Sequence, residues 1–402
     1  MELRPRGYDK VVRLTEKGVK VPNPLTLDIG DDVDVDRISG NGVTIAAGCR
    51  IHGAKTVISA GCTLGAEGPV TLVDCRLGPG VDLKGGYFKQ SVFLEKANMG
   101  LGAQVREGCL LEEEANGAHC VGLKQTILFP FVTLGSLINF CDCLMAGGTS
   151  RKDHSEVGSS YIHFNYTPDG DKTTASLFGD VARGVMLDRP PIFLGGQGGA
   201  VGPVRLGYGT VVAAGSVLRQ DVLDDGKLVF VEPLPGLERE RRSQTYKDLR
   251  RVVRNNVIYL ANLSALEQWY GKVRRAFFAR QELGDLVHEG ALDMLRMARE
   301  ERIKHLKAMA EKVTEATPEC IEFKERVDAV CSLFDEDPGD DGNGFVEAFH
   351  SVADLDDYLG TVLAMSPELR TSGTQWLEGI VESFRGKTNV ILSSMDLFED
   401  HR

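Results

Sequence analysis

The sequence predicts a mainly β protein, in which a parallel solenoid of six-residue repeats is followed by an α-helical C-terminal domain. Two observations lead to this prediction. Apolar residues return every six positions over much of the first half of the chain, and 36 of the 46 glycines lie before residue 241. Glycine accommodates tight corners between short segments, whereas a glycine-poor sequence favours long helices.

The six-residue period is strictest between Tyr87 and Phe129, where eight positions at this spacing carry mostly apolar side chains. A period of six matches neither the turn of an α-helix nor the alternation of a plain strand. It is typical of a triangular solenoid, in which each hexapeptide forms one side of a coil and points an apolar residue inward. Cys49, Cys62 and Cys75 follow the spacing of the repeat, so we expect them to be small core residues and not metal ligands.

The pattern changes near residue 240. Leu249, Val253, Val257 and Leu260 recur at steps of three and four residues, which predicts an amphipathic helix. Further helices are predicted over 286–306, 321–334, 345–365 and 374–384. The polar stretch 236–243 separates the two patterns, so we divide the chain into an N-terminal segment (1–26), a solenoid (27–235) and a helical domain (240–402).

Composition narrows the function classes. A net charge of −12 argues against nucleic-acid binding through bulk charge. The N-terminus lacks the apolar run of a signal peptide. The apolar stretch 126–148 is interrupted by Pro130, Asn139 and Asp142, so we expect no membrane span. The nine cysteines include no C-x-x-C pair, which fits a reducing, cytoplasmic location without disulfides.

Two segments resemble a known family. The stretch Val157–Lys172 (VGSSYIHFNYTPDGDK) is similar to the IGAGTITCNYDGANK motif of the hexapeptide-repeat acyltransferases, specifically of the bifunctional glucosamine-1-phosphate acetyltransferase/N-acetylglucosamine-1-phosphate uridylyltransferase. The stretch Phe193–Val222 resembles the last coils of its acetyltransferase half. This resemblance implies a left-handed parallel β-helix. No counterpart of the uridylyltransferase half precedes the solenoid in this sequence, so a pyrophosphorylase-related protein without nucleotidyl transfer is expected.

The resemblance also implies roles for individual residues. Asn165 and Tyr166 match the Asn-Tyr pair of the family motif, whose Asn contacts the sugar, and Lys172 matches its terminal Lys, close to the sugar phosphate. Gly196 and Thr210 fall where the family binds acetyl-CoA, largely through backbone groups. Because such sites lie in clefts between neighbouring solenoids, the resemblance implies a homotrimer.

The sequence departs from the family at its catalytic base. The family has a His in a segment resembling GHLSYLGD, whereas the matching segment here, Gly135–Asp142 (GSLINFCD), has Ser136 at the His position and Asn139 at that of the Tyr. Two insertions, over 147–156 and 182–192, also set the chain apart. The scaffold is therefore expected to be retained while the catalytic groups have changed.

Two histidines are candidates for the missing base. Asp153 and Glu156 flank His154, and a nearby carboxylate orients an imidazole and raises its basicity. His163 lies two residues before Asn165, so both side chains would point the same way on an extended strand. The alternative for either His is a solvated loop or a hydrogen-bonded packing role.

Arg151 and Lys152, together with Lys172, are candidates for binding a substrate phosphate or the CoA diphosphate, because guanidinium and ammonium groups bind such anions. Ordinary surface charge is the alternative for all three.

The sequence thus favours CoA-dependent acyl transfer, by default acetyl transfer, to a sugar phosphate or nucleotide sugar, with no metal required. One alternative is a non-catalytic scaffold or sugar-nucleotide-binding protein, whose cleft would be filled, for example by the C-terminal helices. Another is a γ-type zinc hydro-lyase that draws ligands from His52, His119, His154 and His163.

Overall fold

Short parallel strands stack into columns that form the three faces of a triangular solenoid, in agreement with the six-residue period. The computed structural model describes residues 4–164, 172–238, 240, 246, 248–336, 338–339 and 342–398. Named strands in these ranges pair in parallel, apart from one short antiparallel hairpin, Gly148–Ser150 with Asp153–His154. Helices follow the last coil. The predicted solenoid followed by a helical region is therefore confirmed.

Face A is a sheet of ten two-residue strands. In chain order they are Thr44–Ile45, Thr63–Leu64, Asp82–Leu83, Asn98–Met99, Asn116–Gly117, Thr133–Leu134, Glu156–Val157, Phe193–Leu194, Val211–Val212 and Leu228–Val229. The second residue of each of the first nine is buried, while the first is exposed or half-buried. This alternation is expected for a sheet with one face on the core and one in water.

Faces B and C form one larger sheet, because the long strands Gly122–Leu128 and Asn139–Met145 run across the corner between them. Face B also contains Asp28–Ile29, Arg50–His52, Val70–Val73, Gly86–Lys89, Ala103–Val105, Ile162–Phe164, Gly199–Val201 and Val217–Leu218. Face C also contains Val57–Ile58, Arg76–Leu77, Ser91–Phe93, Cys109–Leu111, Ser176–Phe178 and Arg205–Leu206.

The chain turns each corner through left-handed backbone conformations. At the corner between faces A and B, the stacked residues Cys120, Leu137, Ser160 and Gln197 have φ of 56°, 59°, 63° and 53°. These are unusual values for residues other than glycine. They are held by hydrogen bonds between consecutive coils, such as Leu137 N to His119 O at 3.1 Å. The corners are therefore defined columns in which one residue lies over another.

Nine α-helices are described. They are α1 (Tyr8–Lys17), α2 (Val181–Gly184), α3 (Leu249–Trp269), α4 (Arg275–Phe278), α5 (Gly284–Lys312), α6 (Pro318–Ser332), α7 (Asn343–Val352), α8 (Tyr358–Leu363) and α9 (Pro367–Ile391). A π-helical turn, Tyr270–Arg274, joins α3 to α4, and 3₁₀ turns occur at Pro24–Thr26, Val35–Arg37 and Leu333–Asp335. In the described part of the chain, no helix is long and apolar enough to cross a membrane.

Helices α3 and α5 cover face C. Its strands Ser91–Phe93, Cys109–Leu111 and Ser176–Phe178 are buried at every position, unlike those of face A. Gly290 permits α5 to approach face C closely, because a Cβ atom at this position would lie 2.5 Å from Cδ of Arg76. The buried Arg76 guanidinium donates to the Leu286 carbonyl of α5 at 2.5 Å. The helical region is thus packed directly onto one side of the solenoid.

A buried charge cluster joins face C to the π-helical turn. Glu112 and Glu113, at the corner that follows Cys109–Leu111, both lie against the buried Arg274. The Tyr270 hydroxyl donates to Glu112 at 2.5 Å. Burial, with the neighbouring Glu113 carboxylate as a smaller cause, raises the pKa of Glu112 to about 7. The Arg274 guanidinium therefore pairs with both carboxyl groups at this contact.

Removing that cation is expected to destabilise the protein. Arg274→Ala would leave two buried carboxyl groups without their partner, at a cost of about 3–5 kcal/mol in the free energy of unfolding. Arg275→Ala removes an exposed arginine next to it and is expected to change that free energy by less than about 0.5 kcal/mol. Urea unfolding of both variants measures the difference, and equal effects would contradict the role given to Arg274.

The raised pKa of Glu112 also predicts a pH dependence. Folded Glu112 keeps its proton at pH values at which the unfolded chain has lost it. Its contribution to the free energy of unfolding is therefore full below pH 4.5 and is lost as the pH rises to about 7. Glu112→Gln should remove this part of the pH dependence, whereas Glu114→Gln at the same corner should retain it. Urea unfolding across this range tests the prediction, and identical profiles for Glu112→Gln and wild type would contradict it.

Candidate active site

The predicted site residues lie on different corners of the solenoid. Arg151, Lys152 and His154 belong to the hairpin inserted at the corner between faces C and A. Lys172 precedes the face C strand Ser176–Phe178, at the corner between faces B and C. Gly196 lies at the corner between faces A and B. Within one chain, the structure therefore does not bring these residues together.

Two predicted residues, Asn165 and Tyr166, lie outside the described residues. Thr210 is fully buried just before the strand Val211–Val212, and its Oγ1 has no hydrogen-bond partner in the described structure. Its carbonyl accepts a hydrogen bond from Phe193 N at 2.9 Å. Thr210 thus contributes to coil stacking, and its side chain is enclosed in the core.

The inserted hairpin is held to the solenoid by its own arginine. Arg151 Nη1 donates to the carbonyls of Glu114 and Phe131 at 3.0 and 2.8 Å and to Thr133 Oγ1 at 3.0 Å. His154 Nδ1 lies 2.9 Å from the carbonyl of Arg151, across the turn of the hairpin. These contacts give Arg151 a structural role at the corner, while Lys152 remains exposed.

His163 lies inside the solenoid. Its Nδ1 is 2.5 Å from the carbonyl of Cys141, and its Nε2 is 2.7 Å from Ser176 Oγ. The ring packs edge-on against Phe140 and Phe178. Burial lowers the pKa of His163 to about 4, so the imidazole is neutral at pH 7. Both ring nitrogens are hydrogen-bonded, so His163 has the geometry expected for a packing role, which was the alternative to a catalytic one.

Lys172 lies next to the helices of the same chain. Its carbonyl accepts from Arg302 Nη1 of α5 at 3.1 Å, and the same guanidinium pairs with Asp142 at 2.5 Å. Asn256 of α3 donates to the neighbouring Thr173 carbonyl at 3.2 Å. The Lys172 side chain is exposed. Helices α3 and α5 therefore form one wall beside the corner that carries the predicted phosphate ligand.

The corner between faces A and B forms an accessible polar column. Ser136 Oγ lies 2.9 Å from Nδ1 of the exposed His119, one coil earlier. On the other side, Ser136 N donates to Ser159 Oγ at 3.1 Å. The next coil brings Gly196, where a Cβ atom would lie 2.9 Å from the Ser159 carbonyl oxygen. One coil further, a Cβ at Gly215 would meet nothing within 4 Å, so the column ends in open space.

This corner contains Ser136, which the resemblance aligns with the family's base, and Gly196, which it implies as a cofactor residue. Sequence reasoning missed the contact between Ser136 and His119. The spacing in the sequence could have indicated this contact, because the two residues are 17 positions apart, which is the length of this coil. Residues one coil apart stack at a corner, so the pair was predictable once the coil length was known.

For the zinc alternative, the residues that the structure describes contain no suitable set of ligands. Among them, no group of three or more His, Cys, Asp or Glu side chains is placed to hold a metal ion. His154 lies at the corner between faces C and A, His119 lies at the corner between faces A and B, and His163 lies inside the solenoid on the face B strand Ile162–Phe164. Histidines that share one zinc ion within a chain would have to converge on one point.

The two predicted histidines differ in their expected effects on stability. His163→Ala removes two buried hydrogen bonds and leaves a cavity, so the free energy of unfolding should fall by about 2–4 kcal/mol. His154→Ala, on a half-buried hairpin, should lower it by less than about 1 kcal/mol. Urea unfolding of each variant provides the measurement, and a His163→Ala variant as stable as wild type would contradict the packing role.

Similarity searches match this chain to bacterial proteins named bifunctional protein GlmU. The GlmU of Stenotrophomonas maltophilia (strain K279a) is 31% identical over 232 residues, which cover 54% of this chain and 42% of the relative. The GlmU of Acinetobacter baumannii (strain ACICU) is 28% identical over 207 residues, 51% of this chain and 37% of the relative. The GlmU of Lawsonia intracellularis is 28% identical over 131 residues, 33% of this chain and 25% of the relative.

No protein-family model matches the chain. The chain spans less than half the length of these three relatives. The parallel solenoid and the partial matches agree with the resemblance found in the motifs Val157–Lys172 and Phe193–Val222. The chain therefore carries a left-handed hexapeptide-repeat β-helix that resembles the acetyltransferase half of the bifunctional GlmU proteins.

Proposed function

We propose that the protein transfers an acyl group, by default acetyl, from acetyl-CoA to a sugar phosphate or nucleotide sugar. The observation that carries this proposal is the accessible column at the corner between faces A and B, where Ser136, Ser159 and Gly196 stack over consecutive coils. In the family that the chain resembles, the base and the acetyl-CoA contacts occupy these positions. The helices lie on face C and leave this corner accessible.

Acetyl-CoA, as co-substrate, fits this corner because little side chain covers the backbone there. Gly196 is half-exposed, and the space beside Gly215 is open. Backbone groups at such a corner can bind the extended pantetheine arm, while a cation is needed for the diphosphate. Lys152 and Lys172 are exposed on the other two corners. As residues of a neighbouring solenoid, they are candidates for binding the phosphate groups.

In the proposed homotrimer, faces A and B would each pack against a neighbouring subunit. Phe193, Val211 and Leu228 lie side by side on the outer surface of face A and are 38%, 40% and 64% exposed. On face B, the outward side chains of Ile162 and Phe164 are 38% and 37% exposed. Apolar surface of this extent is typical of faces that pack against another subunit. Helices α3 and α5 cover face C and leave faces A and B uncovered. Each solenoid could therefore contact two neighbours in a ring, one through each uncovered face.

We place the protein in the cytoplasm. All nine cysteines are free thiols, and seven of them, for example Cys62 and Cys109, are buried in a core that requires no disulfide. Burial raises the pKa of the Cys62 thiol to about 12, so this group is not reactive. Thiols of this kind suit a reducing compartment.

The second candidate function is a non-catalytic sugar-nucleotide-binding or scaffold protein. It is favoured by the serine at the family's base position and by the buried, doubly hydrogen-bonded His163. For a scaffold protein, we expected helices to fill the cleft. Helices α3 and α5 do so only beside Lys172. The column at Ser136 and Gly196 remains accessible, which favours the enzyme.

Binding of acetyl-CoA tests the proposal at the cofactor. Calorimetry of the wild-type protein should give saturable binding. Gly196→Val places a branched side chain against the Ser159 carbonyl and into the proposed groove, so it should weaken binding at least about tenfold. Gly236→Val, where no atom lies within 4 Å of the added Cβ, should bind like wild type. No binding at millimolar acetyl-CoA would overturn the proposal.

The trimer has a separate test. Val211→Glu would place a carboxylate in the centre of the proposed contact on face A and should dissociate the trimer into monomers. Val390→Glu alters a valine of α9 that is 80% exposed and should leave the assembly intact. Sedimentation equilibrium measures the mass in each case. A monomeric wild-type protein, or a trimer that tolerates Val211→Glu, would contradict the arrangement.

A further inference from the structure

We infer that His119 is the general base of the proposed acyl transfer and that Ser136 holds its ring in position. This inference rests on the proposed function and deepens it by naming the group that takes the proton of the acceptor. It begins from Ser136, which stands where the resembled family has its histidine base. A serine hydroxyl is not among the side chains that serve as general bases, so another group has to supply this role.

His119 is the neighbouring group that can do so. It lies one coil before Ser136, and Leu137 N donates to the His119 carbonyl at 3.1 Å, which fixes the two corners against each other. The imidazole Nδ1 is 2.9 Å from Ser136 Oγ. The side chain is exposed, and its Nε2 has no hydrogen-bond partner among the described residues. The imidazole thus lies one hydrogen bond away from the family's base position.

The contact with Ser136 assigns the roles of the two ring nitrogens. We place the proton of neutral His119 on Nδ1, which donates to Ser136 Oγ; Ser136 Oγ then acts as the acceptor. This tautomer leaves the lone pair of Nε2 free to accept a proton. Ser136 is therefore a positioning residue, and His119 is the catalytic one.

The other candidate histidines are placed less well. Both nitrogens of His163 are already hydrogen-bonded inside the core. Within one chain, His154 is at the corner between faces C and A, whereas Gly196 lies at the corner between faces A and B. His119 shares that corner with Gly196, and Ser136 and Ser159 lie between them. The base and the proposed acetyl-CoA contact are therefore on the same column.

In the proposed step, the lone pair of the acceptor's amino nitrogen attacks the thioester carbonyl carbon, and a C–N bond forms. The tetrahedral intermediate collapses with cleavage of the C–S bond, and CoA leaves as the thiolate. The proton lost by the nitrogen passes to Nε2 of His119, which then protonates the thiolate to give the CoA thiol. The enzyme returns to its starting state, and the products are the amide and free CoA.

The experiment compares wild type with His119→Ala, His154→Ala and His350→Ala. Release of the CoA thiol from acetyl-CoA is followed in the presence of amino-sugar phosphates and nucleotide sugars, and binding of acetyl-CoA is measured separately. His119→Ala should lower kcat by about 10²- to 10⁴-fold while acetyl-CoA binding remains like that of wild type. His350→Ala, in which a histidine of α7 is altered, should keep the wild-type rate.

Ser136 has its own readout. Ser136→Ala should lower kcat and leave the KM of both substrates unchanged, because it removes only the hydrogen bond that orients His119. Ser136→Thr retains the hydroxyl and should restore the rate. Loss of activity in both variants would show that the serine matters for packing and would contradict the positioning role.

The outcomes separate the inference from the proposed function. If wild type turns over and His119→Ala keeps its rate, or if His154→Ala loses it instead, the inference is wrong while the acyl transferase stands. If wild type neither binds acetyl-CoA nor releases thiol with any acceptor, the proposed function fails and the inference fails with it. Loss of kcat in His119→Ala alone, with intact binding and an unchanged thermal melting temperature, supports the inference.

Discussion

Hydrogen bonding between stacked coils is the constraint on which the rest of the structure depends. Because the strands pair in parallel and in register, each residue at a corner lies over its equivalent in the next coil. Leu137 N donates to the His119 carbonyl and Ser160 N to the Ser136 carbonyl, so side chains one coil apart become neighbours. Distant parts of the sequence are thereby ordered into columns. The candidate site is one such column, and its geometry follows from the coil length.

The helical region determines which columns are accessible. Helices α3 and α5 bury face C, and the Arg274 cluster and the Arg76 guanidinium fix them there. In a buried cluster of this kind, desolvation offsets much of the attraction between the charges, whereas removal of one partner leaves the others uncompensated. Faces A and B are not covered by these two helices. The same packing that covers one side of the solenoid therefore leaves the corner at Ser136 accessible to ligands and to neighbouring subunits.

Much of the fold could be predicted from local patterns. The six-residue period gave the solenoid, and Cys49, Cys62 and Cys75 are buried core residues as expected. The site was harder to predict, because a corner column depends on the exact length of every coil. The two insertions interrupt the repeat, so the candidates Arg151, His154 and Lys172 are close in the sequence but lie at different corners of the solenoid. His163 illustrates the same limit, because its burial depends on partners such as Ser176, which is 13 residues further along the chain.

Acyl transfer at the corner between faces A and B is the activity that we propose for this protein. The most direct measurement is acceptor-dependent release of the CoA thiol by the wild-type protein, with acetyl-CoA and a panel of amino-sugar phosphates and nucleotide sugars. We expect at least one acceptor to raise the rate of thiol release far above that with acetyl-CoA alone and to yield an acetylated sugar by mass spectrometry. Binding of acetyl-CoA without thiol release for any acceptor would contradict it and favour a binding or scaffold protein.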